Sequence, residues 1–262
     1  MKKLPVIFLA IFVLMSGSQA WGAGVGGFES GGFGEFDFSE ASNGSLTVTS
    51  ERAYDGVRSA KASNNAVGNQ YQRAWYDVSW REGSDVWYGM ALYIPRVSDW
   101  CWWNPVRWDN YKSFGSSGDV GGVRIDSGSL YLDQGTYAGQ SRTLIGPVAV
   151  PEARWFWLEV HQRLSGSTGS ALSELFIDGV KVGSSTAANS LGRQIDMIRY
   201  GNVAMETNCS QASSIYFDRA SLTNGPLGPR PTQAPSPLTS LVRGLRRPSA
   251  RHSGAQHGLH RR

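Results

Sequence analysis

Glu174-Leu175-Phe176-Ile177-Asp178-Gly179-Val180-Lys181-Val182 decides the fold class of this chain. An apolar, β-prone run stops at Asp-Gly, the dipeptide that accepts the positive φ angles of a two-residue hairpin turn. The same punctuation recurs upstream, where Asp126-Ser127-Gly128 separates Gly122–Ile125 from Ser129–Leu132. Further strands are expected at Ser45–Ser50, Val57–Ala62, Gln70–Trp80, Val86–Ile94, Trp155–Leu164, Ser173–Ile177, Ile195–Tyr200 and Ile215–Leu222. Helical periodicity is almost absent, and 32 glycines break the chain into short runs. The expectation is an all-β sandwich without internal repeats.

The ends read differently. Met1-Lys2-Lys3, the apolar run Leu4–Met15 and the small residues Ser16–Ala20 have the order of a secretory signal peptide, so residues 1–20 are expected to be removed on export. That run is too short to span a membrane, and no later segment is apolar enough to do so. Residues 21–225 are then one sandwich domain, long enough for a substantial core, in a secreted protein expected to be a monomer. Residues 226–262 are Pro-, Arg- and His-rich with few apolar side chains and are expected to be disordered.

The formal charge of +4 misleads, because seven of the 25 basic residues lie in that tail and two in the leader. Without those nine, 16 basic residues face 21 acidic ones, and the core is near −5. A basic nucleic-acid groove is therefore not expected. Cys101 and Cys209 are the only cysteines. In an exported chain such a pair is expected to form a disulfide, two buried thiols being the alternative.

Trp100, Trp102, Trp103, Trp108 and Tyr111 crowd the connection from Asp99 to Tyr111, together with Arg107 and Asp109. Tryptophan is large and rarely buries completely. Its flat apolar face suits the C–H patch of a pyranose ring, so these rings are expected to form a carbohydrate platform. The alternative is that they seal one end of the core.

Several segments, in order, carry a resemblance. Phe28-Glu29-Ser30-Gly31-Gly32 is followed by Tyr54-Asp55-Gly56-Val57-Arg58-Ser59-Ala60 and Trp87–Pro95. Trp155…Glu159-Val160-His161-Gln162-Arg163-Leu164, Glu174–Val182 and Ile215–Leu222 complete the series. From Phe28 to Leu222 the chain resembles the concanavalin A-like jelly roll of the heparin lyase I-like polysaccharide lyases. It is more distantly similar to alginate and glucuronan lyases and to laminin-G-type modules.

The resemblance implies β-elimination on uronic-acid polysaccharides, in which a side chain neutralises the C5 carboxylate, a base removes the adjacent proton and an acid protonates the leaving oxygen. The family's concave sheet supplies an Arg in an R-x-E-L type of strand motif, then a Gln and His, then a late Tyr. Here Arg73 fits the Arg position, with Trp75 where Glu is expected. The Gln/His strand is matched by Val106-Arg107-Trp108-Asp109, and the late strand by Arg199-Tyr200-Gly201-Asn202-Val203, with Val203 in place of Tyr. Arg107, Asp109 and Tyr111 alternate at period two and would share one face. On that basis Arg107 is a candidate to neutralise the carboxylate and Tyr111 a candidate base. Arg199 is a candidate substrate contact. His161, alternating with Trp157, Glu159 and Arg163, is either a general base or a polar residue paired with Glu159 or Glu174. Glu29 and Asp218 match positions that hold a structural calcium in many jelly-roll modules, and hard oxygen ligands suit that ion.

Other chemistries lack their residues. Hydrolysis needs two carboxylates flanking the bond, and Glu152, Glu159 and Glu174 are scattered among different elements. With one histidine in the core and the two cysteines expected to pair, neither nucleophilic triads nor zinc sites are expected, and no catalytic cofactor is implied. The expected function is a secreted carbohydrate-interacting protein acting as a polysaccharide lyase. A non-catalytic carbohydrate-binding module and a structural or adhesive surface protein are the alternatives.

Overall fold

The computed structural model describes residues 24–65, 70–96, 102–110, 112, 119–137, 140–190, 192–205 and 212–227. The leader, Trp100, Cys101, Tyr111, Cys209 and nearly all of the tail lie outside the described residues. Among the described residues no helix is long and apolar enough to cross a membrane.

Fifteen strands follow in chain order: β1 Gly24–Gly26, β2 Phe38–Ser42, β3 Gly44–Thr49, β4 Ser59–Asn64, β5 Gln70–Trp80, β6 Asp85–Tyr93, β7 Trp102–Asp109, β8 Asp119–Asp126, β9 Ser129–Tyr137, β10 Gln140–Ala149, β11 Trp155–Arg163, β12 Leu172–Ile177, β13 Val180–Ser185, β14 Ile195–Met205 and β15 Ser214–Thr223. They form two antiparallel sheets. One runs β13-β12-β11-β6-β15-β4-β3, with β1 added beside β15; the other runs β10-β9-β8-β7-β14-β5-β2. The all-β sandwich expected from the sequence is the fold observed.

Both sequence-marked hairpins form. Ser127 and Gly128 have φ of 49° and 81°, and Asp178 and Gly179 have 52° and 78°. Positive φ at both central positions gives the turn twist that matches paired strands. The tryptophan-rich stretch expected as a connection is instead β7, near the middle of the seven-stranded sheet.

Alternate residues of each strand point into one core. The seven-stranded sheet contributes Ala74, Tyr76, Val106, Trp108, Val123, Ile125, Leu130, Leu132, Ile198 and Tyr200. The other sheet contributes Val86, Tyr88, Met90, Leu92, Phe156, Leu158, Val160, Leu175, Ile215 and Phe217. Rings bridge the sheets: Tyr88 lies 5.8 Å from both Trp80 and Trp108. Phe28, held at φ 58°, packs on Phe33, Phe36 and Phe217 within 5.6 Å, which explains the phenylalanine spacing of the opening segment.

Candidate functional site

Residues between the core positions of the seven-stranded sheet face the other way. The register aligns Phe38, Trp75, Arg199, Arg107, Gly122, Asp133 and Thr143 as direct neighbours on successive strands, one row crossing the whole sheet. Glu40, Arg73 and Gly201 align in an adjacent row, and Asp77, Met197 and Asp109 in a third. Three arginines far apart in sequence thus converge on one face.

Their surroundings are mostly buried. Arg199 is 5% exposed and Asp109 1%. Arg199 Nε donates to Met197 Sδ at 3.0 Å and lies 3.2 Å from Asp109 Oδ2. Arg73 is held by Glu40, Nε donating to Oε1 at 2.7 Å, while its other arm donates to the Val203 carbonyl at 3.2 Å. Burial pushes the Arg107 pKa down to about 10, with the like charges of Arg199 and Arg73 adding to the fall and Asp109 opposing it. At the far side Arg124 joins Asp126 and Asp133, both at 2.5 Å, and lies over the Tyr131 ring.

Gly121 and Gly122 make this arrangement possible. A Cβ on Gly121 would overlap the Trp108 ring, on the core side. One on Gly122 would meet Arg107 Cγ at 3.0 Å, on the other side. The consecutive glycines leave room for an indole below the sheet and a guanidinium above it.

The sequence-derived candidates divide sharply. Arg73, Arg107, Asp109 and Arg199 are brought together. Trp103 and Trp108 are not a sugar platform: both are fully buried in the core. The reason is a bulge between Trp103 and Val106, which inserts an extra residue and turns both indoles inward although they are an odd number of residues apart. Trp102 stands opposite Asp126 in the register. The expected tie between Cys101 and Cys209 and the base Tyr111 fall outside the described residues, as does Trp100.

His161 is not part of this cluster. It lies on β11 in the other sheet, with Trp157 and Glu159 on its own face and Leu158 and Val160 in the core. Its two ring nitrogens lie 2.8 Å from Glu174 Oε2 and 2.7 Å from Asp85 Oδ1, and its ring stacks on Trp87 at 4.0 Å. Glu174 is one of the two partners expected from the sequence; the other, Glu159, accepts from Trp157 Nε1 at 2.8 Å. The His161 and Lys181 hydrogen bonds lower the Glu174 pKa against the opposing effect of burial. Of the two roles expected for His161, the paired one is observed, and the ring bridges Glu174 and Asp85 on the sheet opposite Arg107.

Glu29 and Asp218 sit near each other in a third place. Asp218 is fully buried; its Oδ2 accepts from the Tyr54 and Asp55 amides at 3.0 and 3.2 Å, and its Oδ1 from the Arg219 amide at 2.8 Å. Glu29 Oε1 accepts from the Val57 and Arg58 amides at 3.1 and 3.0 Å. Burial raises the Asp218 pKa to about 7, the amide bonds resisting and the Glu29 charge contributing. Two close carboxylates at such a cost fit a hard cation. Among the described residues no group of three His, Cys, Asp or Glu is arranged for a metal.

Reading by alternation missed Phe38 and treated Trp75 only as a departure. Their rings lie 4.6 Å apart, and Phe38 is 54% exposed. The Arg199 and Arg73 guanidinium carbons lie 5.7 and 6.0 Å from the Trp75 ring centre.

No protein-family model and no curated protein matches the chain. Among solved structures it is similar to the endo-β-1,4-glucuronan lyase from the fungus Trichoderma reesei, with TM-score 0.64 and 14% identity over 82% of this chain and 100% of that one. It is also similar to the cellulose-induced protein Cip1, with TM-score 0.55 and 15% identity over 78% and 98% of the two chains. The globular domain of T. cruzi calreticulin matches at TM-score 0.50 and 9% identity, over 72% and 85%. These likenesses show the concanavalin A-like jelly-roll fold.

Proposed function

We propose that the outer face of the seven-stranded sheet binds a uronate-bearing polysaccharide outside the cell and cleaves it by β-elimination. The observation that carries this reading is the convergence of Arg73, Arg107 and Arg199 on one sheet face, with the Arg107 pKa pulled down to about 10. A guanidinium held at that cost is stabilised by an anion, and its planar fork matches a carboxylate. The likeness to a glucuronan lyase supports the same substrate class.

In the proposed reaction Arg107 neutralises the C5 carboxylate and so acidifies the C5–H bond. Tyr111 takes that proton, the C4–O4 bond breaks, a C4=C5 double bond forms, and the departing oxygen receives a proton. Asp109 positions Arg199 through the contact described above. One observation favours the binding-module reading instead: Glu40, Asp109 and Asp133 each lie against an arginine, so they are poor candidates for the base. Catalysis therefore rests on Tyr111.

The test is incubation of the full chain with alginate, glucuronan, heparin, hyaluronan and neutral glucans, following unsaturated-uronate absorbance and Trp emission together. Absorbance is expected to rise on a uronan and to be lost in Tyr111→Phe. Emission changes with flat absorbance would establish the binding module, and silence in both would refute glycan recognition for these ligands.

Calcium is part of the same reading. Glu29 and Asp218 would hold it, and its charge would offset their repulsion. Without a cation, Asp218 costs stability as pH rises from 3.8 towards about 7, because the unfolded carboxyl ionises first. Calcium chloride is expected to raise Tm by several degrees at pH 8 and by less at pH 5, where protons compete for the site. Equal melting with calcium and with chelator at both pH values would refute the site.

A further inference from the structure

We infer that Phe38 and Trp75 form an apolar subsite for a further pyranose ring of the bound chain, two and three strands away from Arg107. This rests on the uronan reading above and adds a subsite to it. Phe38 on edge strand β2 and Trp75 on β5 are direct register partners with rings 4.6 Å apart, and among the described residues Phe38 is the one aromatic ring in the exposed large hydrophobics. Phe38 is an exposed ring on an edge strand, set against the half-buried Trp75 ring of the next strand, and apolar ring surface of this kind matches the C–H face of a sugar.

Position and charge define the occupant. Trp75 is the register neighbour of Arg199, and Arg199 that of Arg107. Two strand steps at about 4.8 Å each separate Trp75 from Arg107 by about 10 Å, and Phe38 lies one step further, so a disaccharide held at Arg107 ends short of the aromatic pair and only a longer chain reaches it. The Arg73 and Arg199 guanidinium carbons flank the Trp75 ring at 6.0 and 5.7 Å. A ring resting there meets an apolar floor and positive walls, which suits an acidic sugar better than a neutral one. The oligosaccharide then runs across the strands, one unit held at Arg107 and another on the aromatic pair.

The prediction is a length dependence. Titration of the full chain, carrying Tyr111→Phe so that substrate is not consumed, uses the di- and tetrasaccharide of β-1,4-linked glucuronic acid and an alginate tetrasaccharide. Phe38→Ala is expected to weaken tetrasaccharide binding about threefold to tenfold. Disaccharide binding should be unchanged, and Phe38→Trp should restore the loss. Phe38 is exposed, so its far-ultraviolet dichroism should match the parent. An equal loss for both lengths would reduce Phe38 to a structural prop and overturn the inference, as would no loss at all. If the parent binds none of the three probes, the uronan reading fails and takes the subsite with it.

Discussion

Arg107→Ala is expected to lower kcat/KM on a uronan, or affinity if the protein only binds, by at least about 100-fold while leaving the fold intact. The activity loss follows from what the guanidinium is placed to do. Acidifying a C–H bond beside a carboxylate requires neutralising that carboxylate, and removal of one preorganised electrostatic group commonly costs 10²–10³ in rate. Stability should move little or rise. Arg107 sits where burial and two neighbouring arginines lower its pKa to about 10, so the charge is costly to the folded chain. Relief of that cost offsets the lost packing of the side-chain stem. Arg107→Lys should recover only part of the activity, because a point charge lacks the planar fork. Steady-state kinetics and urea unfolding of the three proteins decide the matter. Near-normal turnover in Arg107→Ala would refute the proposed receptor, and a large loss of stability would show that the arginine is mainly structural.

How far the sequence led depends on which physical signal each element carries. Gln70–Trp80 is observed as β5 with the expected bounds, and Val86–Ile94 is β6 shifted by one residue, because long aromatic and β-branched runs have few alternatives to a strand. Strands β2 and β10 were not expected: Phe38–Ser42 is short and polar, and Gln140–Ala149 contains Gly146-Pro147 and repeated register shifts. Of β7 only Val106–Asp109 was expected as a strand, from the resemblance; its first half hid behind Pro105 and the bulge, since alternation is legible only where one residue faces one partner. The arginine cluster was suggested by resemblance alone. Nothing in the spacing of Arg73, Arg107 and Arg199 states that β14 lies between β5 and β7. His161 shows the converse, since its face was legible by period two, whereas the choice of Glu174 over Glu159 and its placement on the opposite sheet depended on strand pairing and topology.

Trp108→Ala is expected to destabilise the protein by about 3–5 kcal/mol, the range for truncating a fully buried large aromatic residue. The indole is completely enclosed, packs 5.8 Å from Tyr88 across the sandwich and fills the space that Gly121 leaves open. Glycine cannot supply the missing atoms, so the cavity would be lined on one side by backbone that does not collapse easily. Trp108→Phe separates shape from chemistry. The Trp108 Nε1 is buried without a hydrogen-bond partner among the described residues, and such a donor is costly. Phenylalanine removes it while keeping a ring against Tyr88, so this variant should lose far less stability than alanine. In a sugar platform the order of effects would differ: both substitutions would weaken glycan binding and neither would greatly change the unfolding midpoint. Parallel urea titrations and glycan titrations of the two variants therefore test whether this tryptophan serves the core. A stable Trp108→Ala protein with impaired binding would return it to the binding surface.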